Sequence, residues 1–312
     1  MEYRVLGKTG LKVSALAFGG SPLGGVFGPV DEAVCIRALR AALDNGINLL
    51  DTAPYYGATR AESVLGRALA GVPRDRYVLA TKVGRYGLDQ FDFSEARVSR
   101  SIDESLLRLG VDFIDLIQVH DVEFGCAEQI AAETIPALIR ACAAGKARFI
   151  GVTGLPLAAL DTLSNSPGVS CLQSYCHGTL YDSSVVRRVP GWARRELGCF
   201  NSAPLGMGLL TEQGPPAWHP APAVLREACR AAARLCSARG ARLTDLALHH
   251  SAHLPGLHST VVGMSTPEEV AANLHAFETA PDPALLQEVL ALFDPVRDLT
   301  WPSGRKETGA CA

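Results

Sequence analysis

Three short, largely apolar runs in this chain each end on an ionisable side chain: residues 47–50 on Asp51, residues 77–81 on Lys82, and residues 113–119 on His120. Runs of this length, set between loops punctuated by Gly and Pro, read as buried strands. The stretches between them carry apolar residues at helical spacing. Cys35, Ala38, Leu39, Ala42 and Leu43 form one such stripe, with Asp31 as its cap and Asn45-Gly46 as its stop. Val98, Ile102, Leu106 and Leu109 form another, between Ser94 and Gly110. Strands alternating with amphipathic helices must pair in parallel, because each helix is the crossover that returns the chain to the same end of the sheet.

The alternation runs the length of the chain. Further strands are expected over 15–18, 147–152, 169–174, 198–202 and 259–262, and further helices over 61–69, 130–144, 158–163, 184–197, 223–238, 243–252 and 283–293. Thr266-Pro267-Glu268-Glu269 is a capping box with proline at the first helical position, so one more helix starts there. Residues 4–14 read as a hairpin preceding the main pattern. With no composition break or linker, residues 1–312 are expected to form a single domain, a (β/α)8 TIM barrel with an N-terminal β-hairpin and a C-terminal helix and tail. A doubly wound sheet fits less well. Its first strand would need a three-glycine dinucleotide fingerprint leading into a helix, whereas Phe18-Gly19-Gly20-Ser21-Pro22 stands there. The Gly- and Pro-rich connection over 204–222 breaks the rhythm and reads as either a lid or a packed surface loop.

Charge and composition exclude several partners. Lys and Arg total 29 against 32 Asp and Glu, a net charge of -3 with no long block of either sign, so neither a nucleic acid nor an anionic membrane is an expected partner. No segment reaches the roughly 20 apolar residues needed to span a bilayer. The start, Met1-Glu2-Tyr3-Arg4-Val5, has no secretory or transit pattern, and a cytoplasmic address is expected. Nine cysteines fall without metal-ligand spacing. No metal site is expected, and Cys35, Cys142, Cys171 and Cys229 read as packed thiols.

Barrel strands all open on one face at their C-terminal ends, so Asp51, Tyr56, Lys82 and His120 can meet in one pocket. Each alone has a plainer explanation: a rim phenol, a solvated ammonium, a loop cap, a packed imidazole. Together they suit proton transfer at a carbonyl or alcohol carbon. A phenol is a poor base at neutral pH, so an adjacent Lys82 is expected to favour the phenolate, with Asp51 holding Lys82 in place. His120 would hydrogen-bond the reacting oxygen. None of these groups accepts hydride, so a cofactor must. Adjacent Gly19 and Gly20 allow a ligand to approach the backbone closely. The residues themselves leave open an oxidising dehydrogenase, an NAD(P)H-dependent aldehyde reductase working in reverse, and a non-catalytic binding subunit.

On these residues the chain resembles the aldo-keto reductase family over essentially its whole length, with Asp51, Tyr56, Lys82 and His120 on the family's catalytic tetrad. Segments such as Ser21-Pro22-Leu23-Gly24-Gly25, Phe91-Asp92-Phe93-Ser94, Gly154-Leu155-Pro156-Leu157 and Leu299-Thr300-Trp301-Pro302 resemble the plant-type L-galactose dehydrogenase subgroup. The resemblance implies NAD-dependent oxidation of L-galactose at C1 to L-galactono-1,4-lactone, a step of ascorbate biosynthesis, with Tyr56 as base; D-arabinose or another aldose is the alternative substrate. It further implies cofactor contacts from Gly19, Gly20, Asp51, Thr153, Gln173, Ser202, Pro204, Leu205, Gly206, Gly263, Met264, Ser265, Glu269 and Asn273. Thr153-Gly154 stands where many members have Ser-Asn, and Ser202-Ala203-Pro204-Leu205 replaces an aromatic that stacks on nicotinamide. Members that prefer NADP carry a Lys and an Arg where this chain has Gly263 and Glu269, which implies NAD. For the sugar, the expected contacts are Tyr56, His120, Asp121, Ser174, His177 and Trp301, with Glu123 and Thr211 nearby. A monomer or weak homodimer is expected.

Overall fold

The computed structural model describes residues 1–304. Strands β1 (Tyr3–Val5) and β2 (Lys12–Ser14) form an antiparallel hairpin. Eight parallel strands follow: β3 (Leu16–Gly19), β4 (Leu49–Asp51), β5 (Val78–Val83), β6 (Ile114–Val119), β7 (Ala147–Gly154), β8 (Val169–Tyr175), β9 (Gly198–Ser202) and β10 (Ser259–Gly263). They close into a barrel, β10 pairing with both β3 and β9. Around them lie α1 (Glu32–Asp44), α2 (Arg60–Leu69), α3 (Glu95–Leu109), α4 (Ala127–Gln129), α5 (Ile135–Ala143), α6 (Leu157–Leu163), α7 (Ser184–Ala193), α8 (Ala223–Ala238), α9 (Leu243–Ala252), α10 (Pro267–Glu278) and α11 (Pro283–Leu292). No helix among the described residues is long and apolar enough to cross a membrane.

Local chemistry accounts for the helix ends. The Asp31 carboxylate accepts from the Val34 amide, Ser94 Oγ accepts from the Arg97 amide, and Thr266 with Glu269 closes the capping box. Gly110 ends α3 in the left-handed region that glycine enters without penalty. Two expected helices are interrupted. Residues 130–134 form a π-turn ahead of α5, where Pro136 has no amide proton to continue the ladder. The helix expected over 184–197 stops at Ala193; Pro190 lies inside its last turn, and the chain then reverses through Glu196 at φ 53°.

The barrel interior is layered. Its lower layer joins Ala17, Leu49, Ala80, Leu116, Cys171, Phe200 and Val261 in one apolar cluster, and the hairpin side chains Leu6, Leu11 and Val13 plug it from below. Because side chains on a strand alternate with a period of two, the next inward layer is fixed: Gly19, Asp51, Lys82, Gln118, Gln173, Ser202 and Gly263. The hairpin therefore seals the end opposite the functional one. Among the described residues seven cysteines are free thiols; Cys35, Cys171 and Cys229 are buried, while Cys142 is only partly so.

Candidate active site

The upper layer is a hydrogen-bonded girdle across the barrel. Lys82 Nζ donates to both Asp51 oxygens, at 2.8 and 2.7 Å, and to the Thr52 carbonyl at 2.9 Å. Gln118 Nε2 donates to Gln173 Oε1 at 2.8 Å and to Asp51 Oδ1 at 3.3 Å, and Gln173 Nε2 donates to Ser202 Oγ at 2.5 Å. Asp51 and Lys82 are both buried, so separating them would strand a charge. Gln118 was not singled out from the sequence. Its signal was there: it stands two residues beyond Leu116, as Lys82 stands two beyond Ala80.

Tyr56 reaches this layer on the loop after β4. That loop is pressed against the 3-10 turn Ser21–Gly24, and Gly57, at φ 61°, is so close to Gly24 that a side chain there would overlap its backbone. The Lys82 ammonium lies 5.1 Å from the Tyr56 ring centroid. His120 meets the Tyr56 ring edge-on, centroids 5.6 Å apart. Burial lowers the His120 pKa to about 3, the cations Lys82 and Arg85 adding to the effect, so the imidazole is neutral throughout the physiological range. Its Nδ1 has no hydrogen-bond partner among the described residues.

One electrostatic expectation fails. Lys82 was expected to favour the Tyr56 phenolate, yet the phenol is held well above its ordinary value of 10 by burial first, then by the Asp51 and Asp121 carboxylates. Lys82 is paired with Asp51, and the Asp51 carboxylate itself acts on Tyr56 in the raising direction.

A cavity of about 900 Å³ opens above the girdle. Of the residues expected to bind a cofactor, Gly19, Asp51, Thr153, Gln173, Ser202, Pro204, Leu205, Gly263, Ser265 and Glu269 line it, whereas Gly20, Gly206, Met264 and Asn273 are not part of its lining. Among the expected sugar contacts, Tyr56, His120, Asp121 and Trp301 line it, as does Thr211. Ser174 does not, because it follows the inward-facing Gln173 and alternation turns it to the outside of the barrel. His177 does not either. Its Nε2 is hydrogen-bonded to the Leu155 carbonyl at 2.6 Å and its Nδ1 lies 3.0 Å from both Asp182 and Ser184 Oγ, beside a separate smaller cavity. The expected His177 contact is thus replaced by a structural bracket between two loops.

The cavity also has a wall the sequence did not reveal. Arg85 donates to Asp121 Oδ2 at 2.5 Å, with its guanidinium 3.7 Å from the Tyr55 ring centroid and within 5.4 Å of the stacked pair Phe91 and Phe124. Opposite, Phe27 and Trp218, each about half exposed, meet across the mouth with centroids 6.2 Å apart. The tail passes beside it. Ser303 Oγ donates to Glu123 Oε1 at 2.9 Å, where Tyr175 and the Leu155 amide also donate.

Nothing in this constellation accepts hydride, but the cavity fits a dinucleotide. Thr153, Gln173 and Ser202 offer amide and hydroxyl partners at its floor, and Gly263 leaves room where a Cβ would press on the Pro22 ring at 2.9 Å. At its far margin the Glu269 carboxylate accepts from the Ser265 amide at 2.6 Å, Ser265 Oγ at 2.9 Å and the Thr266 amide at 3.3 Å. Donors at a helix start that would suit a phosphate are already taken by a carboxylate.

Residues 15–291 match the model of the aldo/keto reductase family. The chain is 47% identical to the L-galactose dehydrogenase of Arabidopsis thaliana, over 97% of this chain and 98% of that protein. It is 31% identical to the D-arabinose 1-dehydrogenase of Saccharomyces cerevisiae, over 85% of this chain and 83% of that one. Among solved structures, the holo form of an aldo-keto reductase from Bacillus halodurans superposes with a TM-score of 0.77 at 25% identity, covering 98% of this chain and all of the other.

Proposed function

The chain belongs to the aldo/keto reductase family, and from that premise we propose that it oxidises L-galactose at C1 to L-galactono-1,4-lactone with NAD. The observation that carries this reading is the 47% identity to a plant L-galactose dehydrogenase along 97% of the chain. A family member needs a nicotinamide cofactor; Ser202 to Leu205 and Gly263 to Glu269 would hold NAD, which would supply the hydride acceptor.

The remaining work falls to this chain's own side chains. Tyr56 takes the proton of the anomeric hydroxyl. His120, neutral at working pH, can donate one hydrogen bond to that oxygen without adding a full positive charge, which fixes the reacting carbon against the cofactor side of the cavity. Asp51 holds Lys82, and Gln118 with Gln173 ties that pair to the cavity floor, where Gln173 would hold the cofactor's carboxamide. A rigid girdle of this kind keeps the acid-base group within the small tolerance that catalysis allows. Glu269 favours NAD over NADP, since a 2′-phosphate beside it would meet a carboxylate. Lys82 and Arg85, the basic side chains of the cavity lining, are engaged by Asp51 and Asp121.

The test is kcat/KM for L-galactose, D-arabinose, L-fucose and a simple aromatic aldehyde, each with NAD(H) and NADP(H). A maximum for L-galactose with NAD is expected, at least about tenfold above NADP, equivalent to about 1.4 kcal/mol. A maximum for D-arabinose moves the substrate but keeps the chemistry. Best activity on the aldehyde with NADPH overturns the sugar dehydrogenase reading.

A further inference from the structure

Next to His120 the cavity wall carries a charged pair that none of the proton chemistry above uses. Asp121 is buried, follows His120 directly, and adopts φ 49°, an uncommon backbone for a residue with a side chain. That conformation brings Asp121 Oδ2 to 3.7 Å from His120 Nε2. Arg85 holds the same oxygen at 2.5 Å, placed by a small reversal in which Tyr86 N donates to Gln90 O and Asp92 N to Gly84 O. The guanidinium lies over Tyr55, 3.7 Å from its centroid.

A buried ion pair costs desolvation, and an apolar wall would seal this side at lower cost. The pair is also incompletely satisfied from within the protein. Among the described residues, Arg85 Nε is buried with no partner and Asp121 Oδ1 has no hydrogen bond. Both residues face the cavity. An acceptor oxygen is therefore left over beside the group that holds the reacting oxygen. On a sugar ring, the hydroxyls of adjacent carbons lie within hydrogen-bond distance of each other, so an oxygen bound at His120 brings its neighbour to Asp121.

We propose that Asp121, oriented by Arg85, accepts the hydrogen bond of the hydroxyl on the carbon next to the reacting one, so that the site selects substrates with a 2-hydroxyl over 2-deoxy sugars and simple aldehydes. This rests on the sugar dehydrogenase reading and gives it a specificity determinant. Asp121 is the binding residue and Arg85 a positioning residue. Sites built to bond a hydroxyl reject analogues lacking it strongly, because the site's polar group is left unpaired.

The test uses the best substrate among L-galactose, D-arabinose and L-fucose, together with its 2-deoxy counterpart. Wild-type protein is expected to favour the parent sugar at least about 30-fold in kcat/KM. In Asp121→Gly, where glycine suits the positive φ, and in Asp121→Gly/Arg85→Met, which leaves no unpaired charge, that ratio is expected to fall at least about tenfold, the parent sugar losing far more activity than its 2-deoxy counterpart. Arg85→Met alone is expected to lower the ratio part of the way, mainly through KM for the parent sugar. Cofactor titration and thermal melts establish that each variant is folded. If both sugars lose activity equally, the pair is merely structural and the proposal fails. A wild type that oxidises the sugar without discriminating against the 2-deoxy form also overturns it and leaves the dehydrogenase reading standing, whereas a wild type that oxidises no aldose removes both.

Discussion

Tyr56 is the residue on which the reading of the chemistry depends, and its environment sets a sign. Burial and two carboxylates raise its pKa, so the resting group is a phenol. Oxidation needs the deprotonated form as base, and reduction needs the phenol as acid. The rate of aldose oxidation is therefore expected to rise between about pH 7 and 9, while reduction of the lactone carbonyl, which uses the phenol that predominates throughout that range, stays nearly constant; initial rates in both directions check it. Tyr56→Phe removes one oxygen and leaves the ring packed against His120, so cofactor affinity is expected to hold while kcat falls at least about 100-fold. A Phe variant within threefold of wild type would mean that another group moves the proton. His120 contributes no titration of its own near pH 6.5, since its buried ring is already neutral.

At the scale of elements, the start of α10 does two jobs with one side chain. Glu269 closes the capping box and also occupies the donors of Ser265 and Thr266. Replacing it by arginine is expected to cost about 1 kcal/mol of stability through the lost cap, and to raise the NADP/NAD ratio of kcat/KM at least tenfold by exchanging a repelling charge for an attracting one. Melting curves and rates with both cofactors separate the two effects; a stability loss with an unchanged ratio would confine Glu269 to capping. This cap was legible in four consecutive residues, as were Asp31 and Ser94, because capping is settled within one turn of chain. The strands were legible for the same reason, each apolar run ending at its polar strand-end residue. What local pattern could not carry was register across the barrel. Gln118 and Gln173 meet only because β6, β7 and β8 pair as they do, and Ser174 faces away only because Gln173 faces in. Arg85 escaped because its partner, Asp121, is 36 residues away on another loop.

For the whole molecule, the tail is what ties the loops of several strands into one rim. Residues 299–304 run between the large cavity and a smaller one of about 400 Å³, with Trp301 buried against both. Glu123 is the fastening: one oxygen takes Ser303 from the tail, Tyr175 from the end of β8 and the Leu155 amide beyond β7, while Oε2 is buried with no partner among the described residues. Burial, with the Asp121 charge adding, raises its pKa from 4.5 to about 7. A raised carboxyl binds its proton more tightly folded than unfolded. Its stabilising contribution is thus complete below pH 4.5 and is lost as pH climbs through 7. His120 works in the opposite sense, its lowered pKa penalising the fold between pH 6.5 and 3, so the two effects overlap only on the acid side. Glu123→Gln keeps an acceptor for Ser303 and the amide but cannot ionise. The variant is expected to match wild type near pH 5 and to exceed it above pH 7.5, by an amount on the order of 1–2 kcal/mol after allowing for partial exposure to solvent. Thermal melts of both proteins from pH 5 to 8.5 check this. A constant difference across the range would mean that Glu123 is ionised throughout and that the tail is fastened by charge rather than by a shared proton.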